Sequence, residues 1–216
     1  MSLAKNLLAA AITVAFAAPA LADDVLFTGY ANGSEAITYT LSGPNPAITG
    51  TAGAGGFATQ INGGSSFVSY CIDLYQTIAF GVTYDDYSLN QALVLPNSSF
   101  YADVSRLLGA GHATNTSALS AAFQVAIWEL TYETSGVYNL GNGSATFAGD
   151  ASVLTTAQSW LNVLGAASTP FAVYQSRAHQ DIVVTPVPEP ETYALMAAGL
   201  GALGYIGRRR KARATA

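Results

Sequence analysis

The residues in this chain best suited to chemistry are its one cysteine, Cys71, and a later glutamine, Gln124. Cys71 follows Tyr70 and precedes Ile72, and Gln124 lies in an apolar, helix-like stretch that includes Trp128. A single thiol cannot form a disulfide within the chain. A thiol and a side-chain carboxamide that a fold holds together can condense with loss of ammonia. The product is an internal thioester, which a nucleophile on another molecule can open.

The helix-like stretch would place a large aromatic ring beside the glutamine. Gln124 shares a helical face with Trp128 at i+4, with Ile127 at i+3 and with Ser120 at i−4. A thioester in bulk water hydrolyses, whereas one in a dry pocket persists until a better nucleophile arrives. Formation requires a thiolate, so we expect Cys71 to be partly activated rather than buried and inert.

Two short motifs resemble those of the bacterial thioester domains. Tyr70-Cys71-Ile72 resembles their aromatic-Cys-apolar motif, and the run from Phe123 to Trp128 is similar to their apolar-Gln-x-x-apolar-Trp motif. In that family the cysteine and glutamine side chains are joined, and a nucleophile on the target opens the bond. The resemblance implies that Cys71 is the thiol donor and leaving group and that Gln124 is the acyl carrier.

The same resemblance implies a pocket, a reaction type and a set of partners. Tyr70, Ile72 and Trp128 would line the pocket. Capture would be one-shot covalent attachment to a protein or exopolysaccharide nucleophile, so we expect neither turnover, as in an enzyme, nor a cofactor. An amine and a sugar hydroxyl both remain open as the nucleophile. The better-known members lie on Gram-positive surface proteins, and their targets need not apply here.

Cys71 has three other possible uses. It could be a small buried hydrophobe, or it could form an intermolecular disulfide in an oxidising compartment. A cysteine hydrolase would use His112 as the base and Asp73 or Glu129 to orient it, although the residues around Cys71 do not resemble a nucleophile turn.

Other titratable residues give weaker signals. His112 and His179 are far apart, and Asp85-Asp86 lacks calcium-loop spacing, so no metal site is predicted. Glu129 and Glu133 are one helical turn apart and could serve glycoside hydrolysis, but this spacing is more typical of a solvated helix face.

The main rival function is a non-catalytic carbohydrate-binding or structural matrix module without a thioester. Tyrosines on a β-rich face could provide platforms for sugars, although tyrosine is also an ordinary strand former. The candidates are Tyr30, Tyr39, Tyr84, Tyr87 and Tyr101.

The N-terminus has the pattern of a secretory signal. Lys5 supplies the positive charge, residues 7–18 are almost entirely apolar, and Ala20-Leu21-Ala22 fits a small-residue cleavage site. The apolar run is too short to span a bilayer, which takes about 20 residues. We therefore expect export, cleavage after Ala22 and a mature chain that starts at Asp23.

The C-terminus has three parts in a fixed order. A proline-rich run contains Val187-Pro188-Glu189-Pro190, residues 193–206 are small and apolar, and a basic cluster occupies residues 208–213. An apolar segment before basic residues stops in a membrane with the charges on the cytoplasmic side. The segment is short and contains glycines, which suits temporary retention better than a lasting anchor.

This tail resembles the PEP-CTERM sorting signal of Gram-negative bacteria. The resemblance implies that exosortase, a membrane-embedded protease, cuts near the motif and discards the apolar and basic parts. It also implies an association with biofilm or exopolysaccharide. We therefore expect a transient inner-membrane anchor and then release to the cell surface or extracellular matrix.

The charge of the middle of the chain excludes one class of partner. Residues 23–187 contain 11 acidic residues, no lysine and two arginines, Arg106 and Arg177, which gives a formal charge of −9. Such a surface does not hold a phosphate backbone, so nucleic acid is excluded. The missing lysines fit the thioester, since an internal amine would quench it.

The pattern of residues predicts strands followed by helices. We predict Ser117 and Asp150 as helix N-caps and residues 50–64 as loop or irregular edge strand, with a possible turn at Asp85-Asp86. The predicted strands are 25–30, 35–41, 67–76, 81–89, 171–174 and 181–185, and the predicted helices are 102–108, 118–133 and 151–164.

These elements predict one α+β domain, a β-sandwich or barrel-like sheet with an inserted helical part, like that of a thioester domain. About 165 residues suffice for one core. The predicted division is a signal peptide (1–22), the thioester-like domain (23–184), a proline-rich linker (185–192), a short transmembrane segment (193–207) and a basic cytoplasmic tail (208–216).

Overall fold

Two β-sheets and three helices make up the part of the chain that the structure, a computed structural model, describes. The described residues are 22–43, 46–90, 93–185 and 199–200. The predicted signal segment up to Leu21 and the sorting motif from Val187 to Pro190 lie outside them. The predicted α+β class, with a barrel-like sheet and an inserted helical part, is confirmed.

Nine strands and three helices follow one another along these residues. The strands are β1 (Asp23–Tyr30), β2 (Glu35–Leu41), β3 (Ile48–Ala54), β4 (Phe57–Ile61), β5 (Phe67–Cys71), β6 (Thr83–Leu89), β7 (Ala145–Ala148), β8 (Ala172–Gln175) and β9 (Ile182–Val184). The helices are α1 (Phe100–Gly109), α2 (Ser117–Tyr132) and α3 (Ala151–Leu161).

Six of the strands close into an antiparallel barrel in the order β1-β4-β5-β9-β8-β6. The other three form a separate antiparallel sheet in the order β3-β2-β7. The helices and β7 lie between β6 and β8 in the chain, so they form the insertion that the sequence predicts.

Helix α2 runs through the centre of the domain. Every residue from Ser120 to Tyr132 is buried, because the helix packs against both sheets and both other helices. Its apolar side chains are therefore buried on all sides of the helix rather than on one face. The predicted N-cap is also wrong: Thr116 is the cap, and its hydroxyl accepts a bond from the Leu119 N–H, whereas Ser117 donates to Glu35.

The hydrophobic residues form two cores on opposite sides of β5. A small core fills the barrel and includes Cys71, and a larger one surrounds α2 and includes Tyr70 and Ile72. Successive side chains of a strand point to opposite faces, so β5 contributes to both cores in turn.

Several predicted boundaries differ from the structure. Residues 50–64, predicted as loop or irregular edge strand, mostly form β3, which is an edge strand of the three-stranded sheet, and β4, which lies within the barrel. The predicted strand 67–76 ends at Cys71, Asp85-Asp86 lies inside β6 rather than at a turn, and β7 was not predicted. Asp150 is the N-cap of α3, as predicted.

Candidate functional site

The carboxamide of Gln124 is paired with the backbone of Cys71. The Cys71 N–H donates to Gln124 Oε1 at 3.0 Å, and Gln124 Nε2 donates to the Cys71 carbonyl at 2.7 Å. Gln124 is 0% exposed and Cys71 is 1% exposed. The structure therefore brings together the two residues that the motifs single out.

This pairing follows from the end of the barrel ladder. In the antiparallel pair β5–β9, Ile72 bonds to Asp181, so the peptide groups of Cys71, one residue earlier, point away from β9. On the other side β4 begins only at Phe57, opposite Ser69, and offers Cys71 no strand partner. The Gln124 side chain takes the place of the missing peptide group and satisfies both buried backbone groups.

The Cys71 thiol is held as a thiol rather than a thiolate. Its Sγ donates to the Asp73 carbonyl at 3.0 Å and accepts from the Asp73 N–H at 3.3 Å. Burial raises the pKa of Cys71 to about 12; the Asp73 backbone and Trp128 oppose this rise, and the charges of Asp73 and Asp181 add to it. The expectation of a partly activated, less buried Cys71 is wrong for the described geometry.

Trp128 is buried in the core around α2 and acts on the same thiol. It is 2% exposed, and its ring is stacked on Phe147 with the centroids 6.3 Å apart and the planes 13° apart. Its indole N–H has no hydrogen-bond partner of good geometry, yet it is near enough to Cys71 to lower the thiol pKa. A buried donor without a partner is unusual in a folded protein.

Tyr70 and Ile72 lie on the face of β5 opposite to Cys71. Tyr70 packs on Phe123, with ring centroids 4.7 Å apart, and Ile72 is buried in the core around α2. Tyr70 and Phe123 also line a cavity of about 170 Å³ together with His112. Tyr70 and Ile72 therefore pack between β5 and α2, on the side of the strand opposite to the thiol.

Tyrosines that the motifs do not contain surround Cys71. The pKa values of four tyrosines are raised by burial and further by the nearby Cys71: Tyr30, Tyr39, Tyr87 and Tyr132. Tyr39 donates to the Leu74 carbonyl at 3.2 Å, and the Leu74 N–H donates to Tyr132 at 2.8 Å. No periodicity in the sequence indicates this arrangement, since the four come from four different elements.

Hydrogen bonds of the candidate tyrosines also bear on the alternative of a carbohydrate-binding surface. Tyr87 is fully buried and donates to the Gln180 carbonyl. The hydroxyls of Tyr30, Tyr84 and Tyr101 also bond to backbone groups. These side chains support loops and the barrel interior rather than one exposed stacking face.

The residues proposed for a cysteine hydrolase have other partners. His112 is stacked on Trp160 with ring centroids 4.3 Å apart, and burial lowers its pKa. It lines the cavity behind β5 with Tyr70, whose neighbour Cys71 points the other way. Glu129 accepts from the Asn139 N–H at 2.6 Å.

Glu129 and Glu133 each bind the loop that follows α2. Glu133 accepts from the Ser135 and Ser144 N–H groups, and Glu129 accepts from Asn139. Glu129 in α2 and Glu133 at its C-cap are both buried, so they do not form a solvated face. Across the described residues, no three His, Cys, Asp or Glu side chains converge in a way that could hold a metal ion.

The comparisons with known proteins identify the C-terminal segment. No curated protein and no solved structure matches the chain. Among the described residues, no helix has the length and apolarity to cross a membrane. Residues 186–211 match the family model of the PEP-CTERM protein-sorting motif, and this range contains the predicted Val187-Pro188-Glu189-Pro190. The chain is therefore an exported protein with a membrane-anchored C-terminal sorting signal of the PEP-CTERM type, which exosortase processes.

Proposed function

We propose that Cys71 and Gln124 condense to an internal thioester and that the protein uses this bond to attach covalently to a neighbouring surface. The observation that carries the proposal is the pair of hydrogen bonds, 3.0 and 2.7 Å long, between the Gln124 carboxamide and the Cys71 backbone. They hold the electrophilic Cδ of Gln124 beside the residue that bears the thiol. Positioning of this kind replaces the entropy cost of bringing two groups together.

The condensation balances without an outside reagent. Sγ bonds to Cδ, the Cδ–Nε2 bond breaks, and the thiol proton leaves with the nitrogen as ammonia. During attack negative charge develops on Oε1, where the Cys71 N–H already donates at 3.0 Å. A thiol with a pKa of about 12 therefore has to pass its proton to the amide nitrogen as the new bond forms.

Capture reverses the roles of the two side chains. A target nucleophile attacks Cδ, the Sγ–Cδ bond breaks, and the proton of the nucleophile passes to sulfur. The target stays bound through Gln124, and Cys71 returns to the thiol. One molecule captures one target, so the protein acts as a covalent adhesin of the cell surface or biofilm matrix and not as an enzyme.

A matrix protein without a thioester is the second candidate, and one observation favours it. The Gln124 side chain completes the hydrogen bonds of β5, which is a sufficient structural role by itself. The two candidates differ in a covalent bond and therefore in mass.

Intact mass spectrometry of the purified domain, residues 23–185, decides between them. The thioester protein weighs one ammonia less than its sequence, and methylamine adds to Gln124 to give a protein one CH2 heavier than its sequence. Cys71→Ala and Gln124→Ala should each restore the full mass, whereas Gln60→Ala on β4 should keep the deficit. A wild-type domain of full mass that does not react with methylamine would exclude the thioester.

A further inference from the structure

The strongest unexplained feature near the site is the indole N–H of Trp128. It is buried, has no hydrogen-bond partner of good geometry, and lies one helical turn from Gln124, where it lowers the pKa of the Cys71 thiol. An unsatisfied buried donor costs about 1–3 kcal/mol. Phenylalanine at this position would avoid that cost, although it would fill less of the space, so the nitrogen itself calls for an explanation.

We infer that the Trp128 indole N–H is a catalytic donor that stabilises negative charge on the Cys71 sulfur while the thioester forms and while it opens. This inference rests on the proposed function and adds a role for the nitrogen to that of the ring. Sulfur is a weak acceptor as a neutral thiol and a stronger one as it becomes negative. The donor therefore gains its partner in the transition state and not before.

The geometry divides the work between two donors. The Cys71 N–H donates to Oε1 of Gln124, where the oxyanion develops, and the Trp128 N–H serves the sulfur. Stacking on Phe147 fixes the orientation of the indole, and helix α2 sets Trp128 one turn from Gln124. Neither donor has to move during the reaction.

The sulfur needs this help because its surroundings oppose charge. The thiol is buried, and the carboxyl groups of Asp73 and Asp181 disfavour a thiolate. Thiolate departure from Cδ is therefore the hard step of capture. In the described surroundings of Cys71, the indole is the side-chain donor that lowers the thiol pKa.

The test removes the N–H and keeps the ring. In a Trp160→Phe background, Trp128 is replaced by benzothienylalanine, which has sulfur in place of the indole nitrogen, and Trp128→Phe serves as a second variant. We expect methylamine incorporation, followed by intact mass, to slow roughly 10- to 100-fold in both. The Trp160→Phe parent should react at the wild-type rate.

A second readout separates a chemical role from a packing role. Reaction rates are measured with a series of primary amines of increasing basicity, and thermal melting checks the fold of each variant. Loss of the donor should make the rate depend more steeply on amine basicity, because sulfur departure becomes harder. Equal rates and equal slopes with a normal melt would overturn the role of Trp128 and leave the thioester intact. A wild-type domain without the mass deficit would instead overturn the proposed function.

Discussion

The neighbouring carboxyl groups of Glu129 and Glu133 have opposite pKa shifts although both bind the same loop. Burial raises the pKa of Glu129 to about 8, one backbone N–H partly offsets this, and the charge of Glu133 adds to it. Burial also acts on Glu133, but its backbone hydrogen bonds outweigh it and the pKa falls. The number of N–H donors at each carboxyl group decides which one ionises.

The shift of Glu129 predicts that the domain loses stability as the pH rises from about 5 to 8. The folded state binds a proton at Glu129 that the unfolded chain releases near its ordinary pKa of 4.5, so this stabilisation is complete below that value and lost above 8. Asp181, with a pKa of about 7 because of burial and Asp73, acts in the same direction. Glu129→Gln should flatten the decrease in thermal melting between pH 5 and 8.

Glu133→Gln is the matched control. The lowered pKa of Glu133 contributes stability above its ordinary value that is lost only as the pH falls below it. This variant should therefore lower the melting temperature at neutral pH, and it should flatten the slope from pH 5 to 8 less than Glu129→Gln does, because the charge of Glu133 supplies only part of the Glu129 shift. Equal slopes in the wild type and Glu129→Gln would contradict the assignment.

At the scale of the elements, the junction between β3 and β4 determines where β5, which ends at Cys71, no longer has β4 as its hydrogen-bonded neighbour. Gly56 lies at that junction, and its N–H donates to the Ser120 hydroxyl of α2 at 2.9 Å. A Cβ on Gly56 would lie 2.5 Å from Val68 Cγ1 and 3.1 Å from the Tyr70 ring. The glycine thus lets β4 turn close against β5 beside the candidate site.

Gly56→Ala should therefore destabilise the domain by about 1–3 kcal/mol in urea denaturation, because Val68 and Tyr70 have to shift. The same shift should reduce the fraction of protein that carries the thioester mass deficit. Gly43→Ala is the control, since a Cβ there meets nothing within 4 Å, and it should be near neutral. A Gly56→Ala domain as stable as the wild type would show that β5 tolerates the displacement.

The sequence predicts helices and strands well where their side chains follow a clear pattern. Asp150 and the apolar spacing after it predict α3, and β-branched and aromatic residues bounded by turn signals predict β1 and β2. β3 and β4 are predicted only as loop or irregular edge strand, because the glycines in β3 and on both sides of β4 indicate loops locally. Pairing with β2 and β5 stabilises them as strands.

The candidate site divides in the same way. The motifs predict that Cys71 and Gln124 meet, because Cys71 is the one cysteine of the chain and Gln124 lies in an apolar helix. The tyrosines around the thiol and the free donor of Trp128 are not predictable, since they depend on where separate elements cross. The motifs also do not predict that the Cys71 thiol stays protonated, because its burial depends on the fold.

On the scale of the whole molecule, the domain carries no amine near its own candidate bond. Residues 23–187 contain no lysine, and cleavage after Ala22 would leave the α-amino group of Asp23. Asp23 opens β1, which runs parallel to β5 because both are antiparallel to β4, and Cys71 closes β5. The amine and the thiol thus lie at opposite barrel ends, about 20–30 Å apart along the strands.

The sorting signal gives a prediction about processing. Replacing Pro188 and Glu189 together by alanine should leave a membrane-bound precursor that keeps its basic tail, because the cut is expected near this motif. Membrane fractionation and C-terminal mass of the protein expressed with an exosortase measure the outcome. Pro186→Ala, just outside the four-residue motif, should be processed normally. Equal processing of both proteins would contradict the role of the motif.

The Gln124 carboxamide, which bonds to the Cys71 backbone where β5 has no strand partner, affects the thermodynamics of capture. Condensation would expel the nitrogen that donates to the Cys71 carbonyl at 2.7 Å and leave a buried acceptor empty, at a cost of about 1–3 kcal/mol. A primary amine would give a secondary amide, whose N–H can fill that vacancy, whereas an alcohol would give an ester with nothing to donate. The backbone of the barrel would thereby stabilise the product of an amine target more than that of an alcohol target.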